Sequence, residues 1–201
     1  DTQAVAMQED VKRVNGSVFL LRIPSANDNI RLKGEDIQKE KLLIRKGTIL
    51  EPTHLALLAA VGYKRILVYP SPKIAIMTTG SELLMEGEKL RPGKIYDCNS
   101  ILLKALVRQI GGALASFSRV RDNPKEIRTA LRKGLKSDLL IISGGVSVGT
   151  YDFVKEILFK EGVKEIFWKV NIKPGKPIFF GKKNRTLVFG LPGNPVSVFV
   201  T

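Results

Sequence analysis

The feature that most constrains this chain is an alternation that begins near residue 73. Short apolar runs of strand length take turns with amphipathic stretches of helical length. Residues 74–77 read as a strand, and residues 99–110 as a helix closed by Gly111-Gly112. A second strand lies within 113–120, and Asn123-Pro124 opens a helix over 125–133. Residues 139–142 are unbroken apolar, the pattern of a strand covered on both faces. Residues 152–160 read as a helix and 187–189 as a strand. Such an order predicts right-handed β-α-β units. The expected class is α/β: a three-layer parallel or mixed sheet with helices on both faces.

A smaller, β-rich and mixed α+β segment precedes this region. Residues 4–7 and 17–23 read as strands, with Asn15-Gly16 as a hairpin turn. Two strands are too few for independent stability, so 1–29 is expected to be the end of an incomplete β-rich module. Residues 30–71 make a small α+β segment. It holds strands at 42–44 and 66–68 and a helix from Pro52 to residue 61, stopped by Gly62. Leu55, Leu58 and Ala59 share one face of that helix, and His54 is expected to be exposed or capping. Pro70-Ser71-Pro72 is a linker. Residues 72–201 form the α/β domain, which stops inside a helix begun at Asn194-Pro195. The chain is therefore expected to be a fragment, with parts missing at both ends.

Composition excludes several chemistries. One cysteine, Cys98, and one histidine, His54, leave no intramolecular disulfide and no cysteine-based or multi-histidine metal site. Lys plus Arg number 33 against 19 Asp plus Glu, a formal net charge of +14. That balance favours anionic partners. The positive charges form no dense block, so nucleic acid is not expected as a partner. No apolar run approaches the ~20 residues of a membrane span, and no signal peptide is present, so the expected location is cytoplasmic.

In an open parallel sheet, ligands bind beyond the carboxyl ends of the strands. Three strands discharge into loops of small residues: Thr78-Thr79-Gly80-Ser81-Glu82, residues 143–149 followed by Asp152, and Gly190-Leu191-Pro192-Gly193-Asn194-Pro195. Ser143-Gly144-Gly145 lets backbone N–H groups approach a phosphate, or else makes only a tight turn. Glu82, Asp97 and Asp152 lie in or beside these loops, where carboxylates suit Mg²⁺ bridged to phosphate, or where Asp97 and Asp152 simply cap helices. Thr78, Asn99 and Ser147 offer neutral hydrogen bonds. Lys173-Pro174-Gly175-Lys176-Pro177 sets two lysines on a stiff turn that fits an anion or a solvated surface. Phe167 and Trp168 fit a core better than a stacking platform.

Taken in order, these motifs resemble the molybdopterin molybdenumtransferase family, which includes the bacterial molybdenum-insertion enzymes and the C-terminal domain of gephyrin. The resemblance runs through Thr78 to Leu83, Asp97-Cys98-Asn99-Ser100, the 143–149 loop with Asp152, Lys173 to Pro177 and Leu191 to Ser197. Upstream, residues 4–10 resemble the family's "DAVVMQED" stretch and Arg31 to Ile37 its "RxxGEDI" stretch. Related adenylyltransferases and competence-damage proteins share the first motifs but lack the lysine, the proline and the "GEDI" segments in this form. Ser81 departs from the Asp of many relatives.

The resemblance implies molybdenum cofactor biosynthesis: Mg²⁺-dependent insertion of molybdate or tungstate into adenylylated molybdopterin, with release of AMP. It places Glu82, Asp97 and Asp152 at the pterin, metal and nucleotide site, with Asp97 and Asp152 as metal ligands. Thr78, Gly80, Asn99, Ser143, Gly144, Gly145, Ser147, Lys173, Lys176, Pro192 and Pro195 are the matching binding residues. Arg31 and Asp36 match residues that reach the site from the partner of a homodimer, Asp36 among the catalytic group. Two alternatives stay open: an enzyme adenylylating molybdopterin, and a non-catalytic pterin-binding scaffold.

Overall fold

The computed structural model describes residues 2–146 and 153–201. Its chain divides into two units, Asp1–Leu67 and Val68–Thr201.

The first unit carries a hairpin of β1 (Val11–Val14) and β2 (Ser17–Leu20), antiparallel, with Val14 opposite Ser17. Asn15 and Gly16 turn it with φ of 49° and 82°, the two positive values a tight primed turn requires. The turn is where the sequence puts it, but the partner strand is not. Residues 4–7 form no strand: Val5 N–H donates to the Asp28 carbonyl, and Asn29 Nδ2 donates to the Val5 carbonyl. A loop satisfies this backbone in place of a ladder.

Helix α1 (Pro52–Ala60) starts at Pro52, and His54 does cap it: its Nδ1 accepts from Glu51 N–H at 3.1 Å. His54, Leu57 and Leu58 are its half-buried positions, whereas Leu55 is exposed, so the covered face is rotated from the expected one. The expected strands at 42–44 and 66–68 are absent. Leu42 and Leu67 are exposed, and no described residue pairs with either run. Three apolar residues become a strand only where a neighbouring edge takes up their N–H and C=O groups.

The second unit contains β3 (Lys73–Thr79), β4 (Leu83–Leu84), β5 (Ile95–Tyr96), α2 (Cys98–Gln109), β6 (Ala113–Val120), α3 (Pro124–Gly134) and β7 (Leu139–Ser143). Then follow α4 (Phe153–Lys160), β8 (Lys164–Trp168), β9 (Phe179–Lys183), β10 (Thr186–Leu191) and α5 (Pro195–Val200). Six strands form one sheet in the order β6-β3-β7-β10-β9-β8. β3 runs parallel to β6 and β7, and β7 parallel to β10, while β9 is antiparallel to both β10 and β8. The sheet is thus mixed, and β8 and β9 extend it beyond the strands read from the sequence.

Period two builds both layers. From β3, Ile74 and Ile76 point to one face and pack with Leu103 and Val107 of α2 and Val198 of α5. Ala75 and Met77 point to the other and pack with Leu131 of α3 and Val154 and Leu158 of α4. Leu140 and Ile142 of β7 are completely buried on that second face. Each such large side chain contributes about 2 kcal/mol by leaving water. No helix among the described residues is long and apolar enough to cross a membrane.

Candidate functional site

The chain leaves β3 for β6 on one side and then crosses to β7 on the other. That reversal makes the carboxyl ends of β3 and β7 the topological switch point, where helices lead away in opposite directions and a crevice opens. A cavity of about 310 Å³ lies there.

The alternation of β3 continues into the cavity wall, now with polar residues. Thr78, on the α2 side, donates its hydroxyl to Asp97 Oδ2 at 2.7 Å. Thr79, on the opposite side, donates to Asp122 Oδ1 at 3.0 Å. Both threonines are buried, so one strand end pins two loops that leave in opposite directions.

Asp97 is 4% exposed and caps α2, its Oδ1 accepting from Ser100 N–H at 3.0 Å. Capping and cavity wall are therefore one role for this residue. Each carboxylate oxygen carries one protein hydrogen bond and keeps a second lone pair. Asn99 is also buried; its Nδ2 donates to Ser143 Oγ at 2.9 Å and to the Gly193 carbonyl at 2.8 Å. Both amide hydrogens are thus committed to tying α2 to the end of β7 and to the loop after β10. Asp122 Oδ2 accepts from Ser81 N–H at 2.8 Å, and Ser81 Oγ accepts from Asp122 N–H at 3.1 Å. The hydroxyl at position 81 thus makes the return bond to the Asp122 backbone.

The loop after β7 reaches the cavity by close approach. Gly144 has φ of 91°, and a Cβ there would lie 2.4 Å from the Thr79 carbonyl oxygen. Only glycine lets this backbone lie against β3. Its N–H donates to the Leu191 carbonyl at 3.1 Å, closing the loop against β10.

Of the residues singled out from the sequence, Thr78, Gly80, Glu82, Asp97, Asn99, Ser143, Gly144 and Gly145 line this cavity together. Ser147 and Asp152 lie outside the described residues. Lys173 and Lys176 are exposed on the turn after β8 and are not in the lining. Pro192 is buried and Pro195 exposed; Gly193 between them reaches the cavity. Arg31 and Asp36 belong to the first unit, where they pair at 3.0 Å. Sequence reasoning missed Asp122. The signal was present: Arg121-Asp122-Asn123 directly follows β6, and a strand's carboxyl end is where a ligand group belongs. Among the described residues, no group of three or more His, Cys, Asp and Glu is arranged to hold a metal ion.

Fold and cavity define a class first: a doubly wound α/β domain whose switch-point pocket combines carboxylates with closely approaching glycine backbone. Comparison with known proteins narrows it. Residues 75–201 match the family described as "Probable molybdopterin binding domain", and residues 1–62 match "MoeA N-terminal region (domain I and II)". The chain belongs to the molybdopterin-binding domain family.

It is 41% identical over 202 residues to a molybdopterin molybdenumtransferase of Haemophilus influenzae, a match covering 100% of this chain and 50% of the relative. A protein of the same name from Nostoc is 39% identical, over 98% of this chain and 46% of its own length. The crystal structure of a molybdopterin biosynthesis MoeA protein from Pyrococcus horikosii superposes with a TM-score of 0.77 at 34% identity, covering 98% of this chain and 49% of that one. The chain spans about half the length of the curated relatives it matches.

Proposed function

We propose that the protein to which this chain belongs is an enzyme of molybdenum cofactor biosynthesis. It inserts molybdate or tungstate into adenylylated molybdopterin with Mg²⁺ assistance and releases AMP. The observation that carries this reading is the switch-point cavity, which has a carboxylate wall and a glycine loop facing one space. Glu82, Asp97 and Asp122 would repel a bare phosphate. The same oxygens accept one bridged by a divalent cation. The names of the relatives support the same substrate class.

The donors fit Mg²⁺, which takes hard oxygens, one or two carboxylates at a time, and keeps water and substrate phosphate for the rest of its shell. Asp97, together with Asp152, would hold it. When bound, the ion supplies neutralisation of pyrophosphate charge. The chain's own residues do the remainder. Thr78 and Ser100 fix the Asp97 carboxylate, and Asn99 ties the start of α2 to the end of β7 and to the loop after β10. Gly144 and Gly145 admit the phosphate close to the backbone, and Lys173 and Lys176 draw in the tetrahedral oxyanion. Arg31 and Asp36 act from the partner subunit of a homodimer, and the enzyme works in the cytoplasm.

The test uses the full-length protein with adenylylated molybdopterin and Mg²⁺. Molybdate-dependent AMP release is expected, and Asp152→Ala or Asp97→Asn should lower it roughly a hundredfold. Pterin binding without release would replace this reading with a scaffold role. ATP-dependent adenylylation of molybdopterin would replace it with the adenylyltransferase one.

A further inference from the structure

Trp168 is the chain's single tryptophan, and it closes β8 opposite Phe179. It does not line the cavity, yet it is bonded to a loop that does. Its indole Nε1–H donates to the Val146 carbonyl at 3.3 Å. Val146 directly follows Gly144 and Gly145, and its side chain is buried in the core over α3 and α4.

The ring is itself held. Lys155 Nζ stands 3.5 Å from its centroid and Lys169 Nζ 4.0 Å. Lys155 is kept in place by Glu165, at 3.0 Å. On a regular strand Glu165 and Trp168, three apart, would face opposite sides. The pairing of β8 with β9 shifts register between Glu165 and Phe167, and this brings both onto the α4 face.

The other side of Trp168 leads into the lysine turn. Lys169 adopts φ of 70°, a left-handed conformation uncommon for a residue with a Cβ. Its N–H donates to the Ile178 carbonyl at 2.9 Å, and Val170 N–H donates to the Lys176 carbonyl at 3.0 Å. These two bonds close the base of the turn that carries Lys173 and Lys176. One side chain therefore stands between two segments that the cavity lining does not itself join.

We infer that Trp168 is a positioning residue that couples the Gly144–Val146 loop to the Lys173–Lys176 turn. Its indole N–H sets the end of the loop, and its ring, with Lys169 above it, sets the start of the turn. On the proposed reading, on which this coupling rests for its ligand, the two segments grip the phosphate and oxyanion ends of one bound assembly. A loosened Trp168 would then weaken binding without touching the ligand.

Trp168→Phe keeps the ring face and removes the N–H. Amide exchange on the intact protein reads the outcome without any ligand. The Gly144 and Val170 amides should both exchange about fivefold faster, the scale of one lost hydrogen bond, while Ile142 in β7 stays within about twofold. Unchanged Gly144 exchange overturns the inference, as does a response at Gly144 without Val170, or an equal rise at Ile142. Lys169→Asn, which tolerates the left-handed backbone but removes the ammonium, should accelerate Val170 more than Gly144; the reverse order also overturns it.

AMP serves as the ligand probe, and Trp168→Phe should weaken its binding about fivefold. Failure of the unaltered protein to bind AMP, with the exchange pattern as expected, would remove the proposed function and leave the coupling standing. Intact AMP affinity in the variant, with exchange unchanged, would leave the function and remove the coupling.

Discussion

The two units are built from similar residues and differ in what covers them. Between Val68 and Thr201, β3 buries side chains on both faces of the sheet, and β7 buries Leu140 and Ile142 completely on one. Between Asp1 and Leu67, no described residue is buried. Ile23, Ile49 and Leu67 there are as apolar as Ile74 or Leu140, yet they stand exposed. The first unit is held by a turn with two left-handed residues, a helix with a reciprocal cap and backbone hydrogen bonds such as Val5 to Asp28, with no buried core behind them among the described residues. In the second, the same kinds of turn and cap are reinforced by packing. Local chemistry can thus place a turn, a helix end or the hairpin that the turn joins, whereas the longer-range strands of the second unit come with a neighbour and a covered face.

The largest expected contrast is in core truncation. Leu140→Ala should cost about 2–5 kcal/mol through lost transfer energy and a residual cavity. Leu67→Ala, fully exposed, should stay within about 0.5 kcal/mol. Urea unfolding of the two variants measures this; equal losses would break the contrast.

Glycine to alanine sharpens it at turns. Gly144→Ala meets both a positive φ and a carbonyl oxygen 2.4 Å away, so it should cost about 1–3 kcal/mol and abolish AMP binding. Gly16→Ala meets nothing within 4 Å, and only the left-handed backbone resists it, at about 1 kcal/mol. Thermal unfolding and a nucleotide titration together separate the two.

The smallest effect is electrostatic. The Arg132 hydrogen bond, opposed by desolvation and aided by Arg128, holds the Glu161 carboxyl below its ordinary value of 4.5. Glu161 is 8% exposed and bonds both guanidinium groups, at 2.9 and 2.8 Å. A lowered folded pKa stabilises the fold above the unfolded value and loses that contribution as pH falls through the lowered one. Glu161→Gln should therefore flatten the decline of the unfolding midpoint below about pH 4.5. Arg31–Asp36 in the first unit is exposed at both ends, so Asp36→Asn should leave the midpoint unchanged.

Much of this was legible in the residues. Unbroken apolar runs announced β3 and β7, because strands covered on both sides have no polar face to show. Pro52, Pro124 and Pro195 marked helix starts, since a fixed φ and a missing N–H cost nothing there. Eight of the candidate site residues line one cavity because a parallel sheet gathers its strand ends on one edge, and that edge can be read strand by strand. β8 and β9 were not legible. Their runs, Lys-Glu-Ile-Phe-Trp and Phe-Phe-Gly-Lys-Lys, carry charge and glycine, and only the pairing of β9 with β10 and of β8 with β9 makes strands of them.

By itself, then, the sequence determined the strand-helix alternation from β3 to α4 in the main sheet, the hairpin turn, the helix caps and the small-residue loops that a ligand site needs. These depend on neighbours in the chain, where φ, hydrogen-bond donors and side-chain period are local properties. Tertiary structure alone decided that Thr79 bonds Asp122, that Lys173 and Lys176 stand outside the cavity lining, and that Trp168 is bonded to Val146. Those depend on which strand ends become neighbours, and strand order is set by burial summed over the whole sheet rather than by any short stretch of residues.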